Sequence, residues 1–129
     1  MIVDACVAIA LLNSQDRHHG AARQLILKEI EQPRRMPPLT MAECLVAHAR
    51  AGTATIALGR LQDLGITPDG TAVDPLALAM LRSETGLKMP DCVVLLAAEQ
   101  ASEPLATFDE RLAAAAASRR VRVFGSDRG

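Results

Sequence analysis

The chain has 129 residues, a formal net charge of −1, 50% hydrophobic residues and 2% aromatic ones. That length suits one domain, residues 1–129, able to bury roughly two-thirds of its unfolded surface around a single core without a disulfide staple. The near-zero charge leaves nucleic-acid binding open but asks for local Arg clusters or a metal ion to supply it, while Phe108 and Phe124 as the only aromatic residues argue against recognition of bases by stacking.

Cys6, Cys44 and Cys92 are odd in number and widely spaced, with no C-x-x-C pair. They suit a reducing compartment, with burial in the core as the expected role. The longest apolar run, Ala5 to Leu12, falls far short of the about 20 residues a membrane helix needs, and no basic segment precedes it. A cytoplasmic protein without membrane contact is expected.

In chain order, Met1-Ile2-Val3 reads as a short strand and Ala5 to Leu12 as a helix, with Asp4 between them. Open α/β sheets place ligands at such a junction, although an ordinary N-cap aspartate has the same appearance. A polar break, Asn13 to Gly20, precedes a helix over Ala21 to Glu31 with Ala22, Leu25, Ile26 and Ile30 on one face. Arg34 to Leu39 reads as a second strand, because a residue before proline is pushed toward extended geometry. Thr40 followed by Glu43 has the spacing of a capping box, opening a helix that runs to Ala51 and closes at Gly52.

A further helix spans Ala54 to Leu64, and any strand within Ile66 to Val73 is short because Pro68-Asp69-Gly70 is turn-forming. Asp74-Pro75 caps and starts the next helix, which ends at Gly86. Cys92 to Ala101 continues as an apolar helix with Asp91 in its first turn. Pro104 to Phe108 reads as a strand ending at Asp109, Glu110 to Ser118 as an alanine-rich helix, and Arg122 to Phe124 as a last short strand. Strands alternating with single or paired helices predict right-handed crossovers and a parallel sheet covered on both faces.

Asp4, Glu43, Asp91 and Asp109 all fall at strand ends or helix starts, so the topology can gather them at one sheet edge. Acidic residues favour helix starts for dipole reasons as well. Gathered carboxylates need compensation, since two charges about 5 Å apart at an effective dielectric of about 20 repel by roughly 3 kcal/mol. Protons or a hard divalent ion, Mg²⁺ or Mn²⁺, would relieve this, and such ions usually serve phosphate chemistry.

The segments IVDACVAIALL, LTMAECLVA, GLKMPDCVVLLAAE and LATFDERLA resemble the four acidic motifs of the PIN-domain ribonucleases. In length and motif order the chain is similar to the VapC-type toxins of bacterial toxin-antitoxin pairs. The resemblance implies a three-layer α/β/α sandwich with a five-stranded parallel sheet, and metal-dependent endonucleolytic cleavage of RNA. It also implies a homodimer and inhibition by a cognate antitoxin. By motif it makes Asp4, Glu43, Asp91 and Asp109 the catalytic and metal-site residues for Mg²⁺ or Mn²⁺, with Thr107 as a supporting hydroxyl.

Family members commonly follow the first aspartate with hydroxyl residues, whereas this chain has Ala5 and Cys6, and a thiol is a poorer hydrogen-bond partner. The alternative is a PIN-like RNA- or partner-binding module with weak or no activity. Arg34-Arg35 and Arg119-Arg120-x-Arg122 are basic clusters whose default role is a charged surface. His18, His19 and His48 lack metal-ligand spacing, and a solvated lysine is the default for Lys88.

Overall fold

Short apolar strands separated by one or two helices fold as the crossover pattern demands. The computed structural model describes residues 1–125; the last four residues of the expected domain lie outside the described part. The elements are β1 (Ile2–Val3), α1 (Ala5–Leu12), α2 (His19–Lys28), β2 (Arg34–Met36), α3 (Pro38–Arg50), α4 (Ala54–Asp63), β3 (Ile66–Pro68), α5 (Pro75–Thr85), α6 (Met89–Ala101), β4 (Leu105–Ala106), α7 (Glu110–Ser118) and β5 (Val123–Phe124). The five strands form one parallel sheet in the order β3-β2-β1-β4-β5.

The period of two along each strand divides the core between the faces of the sheet. Met1 and Val3 pack with Ala106, Phe124 and the apolar sides of α1, α2, α3 and α4. Ile2, Leu105 and Val123 pack against α5, α6 and α7. The result is the expected α/β/α sandwich. Because β1 leads outward to β2 and β3 on one side and has β4 on the other, the sheet reverses direction between β1 and β4. A crevice opens at the carboxyl ends of strands at such a switch point.

Several boundaries differ from the sequence reading, each for a local reason. The helix expected over Ala21 to Glu31 starts earlier, at His19. Asp16 gathers the preceding turn by accepting the His18 N–H, and the His19 ring bonds the Ala10 carbonyl at 2.7 Å. It also ends sooner, which leaves Ile30 exposed and not on the buried face with Ala22, Leu25 and Ile26.

Strand β2 stops at Met36, and Pro37-Pro38-Leu39 start a helix rather than extend the strand. Pro37 is extended and Pro38 takes the first helical position, where its missing N–H costs nothing. The Thr40–Glu43 capping box is therefore absent. Thr40 lies inside α3, buried, and its hydroxyl oxygen has no hydrogen-bond partner among the described residues. Asp74 does cap α5, accepting the Leu76 N–H at 3.0 Å, and the helix ends on Gly86 at a left-handed φ of 70°, as the sequence predicts.

The expected strand Pro104 to Phe108 reduces to two residues. Among the described residues no helix is long and apolar enough to cross a membrane, and all three cysteines are free thiols.

Candidate acidic site

Asp4 leaves β1 at its carboxyl end and is 7% exposed. One carboxylate oxygen accepts the Ala5 N–H at 2.8 Å, capping α1. The other accepts the Thr107 hydroxyl at 2.7 Å and the Cys6 thiol at 3.2 Å. Capping and buried hydrogen bonding are thus combined in one side chain, and both oxygens are oriented before any ligand arrives.

Thr107, fully buried at the end of the adjacent strand β4, links two of the acids. Its hydroxyl donates to Asp4 and accepts the Asp109 N–H at 3.0 Å. Asp109 then caps α7, with Oδ1 accepting the N–H groups of Arg111 and Leu112. A hydrogen bond to a charged group contributes about 1.5–3 kcal/mol. Thr107→Val, nearly equal in volume, is expected to lose about that much stability in urea unfolding, with Thr107→Ser restoring most of it. A loss below about 0.5 kcal/mol would show that the link is not stabilising.

Glu43 and Asp91 come from helices on opposite sides of Asp4. Glu43 sits in the second turn of α3 and is exposed; Asp91 sits in the first turn of α6 and is half-buried. Burial raises the pKa of both carboxyl groups. Asp4 adds to the rise at Glu43, while Asp4, Asp109 and Glu43 add to it at Asp91, where Lys88 opposes it. Neither carboxylate accepts a hydrogen bond or pairs with a cation among the described residues.

The four acids therefore share one electrostatic neighbourhood at the sheet edge. They are not drawn into a ligand shell, however. Among the described residues no three His, Cys, Asp or Glu side chains stand close enough together to hold a metal ion. Mutual repulsion opposes closer approach, while Asp4 and Asp109 are tied to their own helix starts. In donor chemistry the set fits a hard divalent cation: oxygen ligands, surplus negative charge, and two members held away from easy ionisation.

The cysteines divide in role. Cys44 and Cys92 are buried in the core, as expected. Cys6 instead belongs to the site, donating to Asp4 and accepting the Phe108 N–H at 3.4 Å. Burial first, and then the Asp4 charge, pushes its pKa up to about 12, so the sulfur keeps its proton at neutral pH. The Cys44 thiol is likewise pushed up to about 12, mainly by burial.

The basic clusters face elsewhere. The Arg34 guanidinium donates to the Leu64 carbonyl at 2.8 Å and Arg35 pairs with Glu103, both at the amino ends of the strands, away from the acids. Arg119 pairs with Glu84 and Glu99. His48 meets the Thr53 hydroxyl at 3.2 Å, and His18 stacks on Phe108. The contributions of Cys6 and of the Phe108 N–H and ring were not assigned by the sequence reading. Only the departure from hydroxyl residues after Asp4 pointed toward them.

A five-stranded parallel sheet covered by helices on both faces, with four acids near its switch point, defines an α/β/α domain. The PIN domain family model matches residues 1–118, and the chain belongs to that family. Among solved structures, the crystal structure of PAE2754 from Pyrobaculum aerophilum is similar in fold, with a TM-score of 0.59 and 24% identity over 88% of this chain and 84% of that one. No curated protein matches the sequence.

Proposed function

We propose that the protein is a metal-dependent endoribonuclease and the toxin of a toxin-antitoxin pair. The observation that carries the catalytic reading is the charge at the switch point. Asp4 is buried and locked by Thr107, and its charge helps hold the Glu43 and Asp91 carboxyl groups above their usual range. Such an arrangement is relieved by a hard cation, for which Asp4, Glu43, Asp91 and Asp109 are the proposed ligands. Bound Mg²⁺ or Mn²⁺ supplies an acidified water and charge stabilisation for phosphodiester hydrolysis.

The chain's own residues do the positioning. Thr107 and Cys6 fix the orientation of Asp4, the cap on α7 fixes Asp109, and Lys88 tempers the charge around Asp91. The toxin role, the cognate antitoxin and the homodimer rest on the motif resemblance together with family membership.

Incubation with a structured RNA is expected to give discrete products with Mg²⁺ or Mn²⁺ and none with a chelator. Expression in a bacterial host is expected to arrest growth. RNA binding without products at saturating Mn²⁺ would favour the non-catalytic alternative. The bond from Cys6 to Asp4 argues against that alternative, because the thiol itself helps orient the carboxylate.

A further inference from the structure

A groove of about 810 Å³ runs along the outer edge of β5 between α2 and α7. Among the described residues strand β5 pairs only with β4, so no further strand lies along its outer edge there. Exposed Lys28, Arg120 and Arg122 line the groove, against one carboxylate, Glu29. None of the three cations has an ion-pair partner among the described residues. Phe108 lines it as well, and Phe108 lies between Thr107 and Asp109 in the acidic site. Through Phe108 one end of the groove reaches the residue between Thr107 and Asp109, while Arg122, just ahead of β5, lies toward the amino ends of the strands.

We propose that this groove is the track for the single-stranded RNA flanking the cleaved bond, gripped through its phosphates. The proposal rests on the nuclease reading above and adds to it the route the strand takes. Four carboxylates repel a polyanion, and the chain as a whole carries no positive surplus, so the local excess of cations in the groove supplies the attraction. Both aromatic rings are already engaged. The Arg122 guanidinium lies 4.9 Å above the Phe124 ring, which is 9% exposed, and His18 stacks on Phe108. Neither ring offers a free platform for a base, so the grip falls on the backbone and tolerates any sequence there.

The test measures the affinity of the whole protein for a 2′-O-methyl oligouridine of twelve nucleotides in Mg²⁺, by fluorescence anisotropy over a salt series. The variant Lys28→Gln/Arg120→Asn/Arg122→Gln is compared with wild type; asparagine tolerates the positive φ at position 120. The variant is expected to bind at least tenfold more weakly, with the slope of log affinity against log salt smaller by about 2, since a single strand gives about 0.7 per phosphate contact. The pair Lys28→Gln/Arg120→Asn, which leaves the Arg122–Phe124 stack in place, is expected to reduce the slope by about 1.4, so a folding defect in the triple variant does not decide the matter.

Unchanged affinity and slope in both variants would overturn the track even if wild type cleaves RNA. Weakened binding by the variants in a protein that never cleaves would support the track while overturning the nuclease reading. Unchanged RNA affinity, combined with an oligoglutamate peptide that binds wild type and not the variants, would assign the groove to an acidic peptide and overturn the proposal.

Discussion

Asp4→Asn is expected to lower RNA cleavage at saturating Mg²⁺ by about 10²–10³-fold, the scale seen when one pre-oriented electrostatic group is removed from an active site. The substitution is close to isosteric. The amide oxygen still accepts the Ala5 N–H, so the α1 cap survives. What disappears is the negative charge that faces Glu43 and Asp91, together with one acceptor. The amide nitrogen in place of Oδ2 forces the Thr107 hydroxyl to turn and removes the carboxylate acceptor of the Cys6 thiol, which keeps its contacts with the Thr107 hydroxyl and the Phe108 N–H.

The fold itself should persist, because loss of the charge-assisted bonds is offset in part by relief of repulsion among the acids. Parallel assays of cleavage and of thermal unfolding check both halves of this expectation. Cleavage within about tenfold of wild type would remove Asp4 from the proposed machinery.

The second large effect concerns metal and pH at Asp91. Burial and three neighbouring acids raise the pKa of this carboxyl group in the folded protein. A carboxyl group raised on folding contributes stability that is full below its unfolded pKa of about 3.9 and is lost as pH rises through the folded value. At neutral pH in a chelator, Asp91→Asn is therefore expected to raise Tm above that of wild type, and the gain is expected to vanish below about pH 4.

Divalent metal should reverse the order. A ligand at about a hundred times its Kd stabilises the native state by about 2.7 kcal/mol, which in a domain of this size corresponds to a rise of about 10 °C. The variant, with one proposed ligand neutralised, should gain much less. Thermal scans with and without Mn²⁺ across pH read these effects without any assay of activity. Equal metal responses in the two proteins would show that Asp91 is not a ligand, and a lower Tm for the variant in chelator at neutral pH would contradict the burial and repulsion assigned to it.

The reading of the chain succeeded where one physical signal dominated. Short apolar runs, the extended geometry before proline and helical periodicity located four strands and the seven helices, and allowed at most a short strand within Ile66 to Val73, where β3 lies. The helix ends at Asp74 and Gly86 were legible because side-chain capping and left-handed φ are local requirements. It failed where two local signals competed. Thr40 with Glu43 has the spacing of a capping box, yet Pro37-Pro38 begins the helix two residues earlier and carries Thr40 into the interior. Ile30 fits the apolar face of α2 by spacing, but the helix ends before reaching it.

The site divides along the same line. The sequence by itself placed Asp4, Asp91 and Asp109 at strand ends and helix starts, since those positions follow from propensity and the order of elements, whereas Glu43 falls in the second turn of α3. It also marked Cys6 as the residue out of pattern. Only the tertiary structure decided how they relate, because β1 and β4 are about a hundred residues apart in the chain and neighbours in the sheet. That pairing lets Thr107 reach Asp4 and turns Cys6 into a member of the site. It also leaves the cations of α2, and those that follow α7, beside the open edge of β5. Packing between distant segments creates such contacts, and no local pattern of residues encodes them.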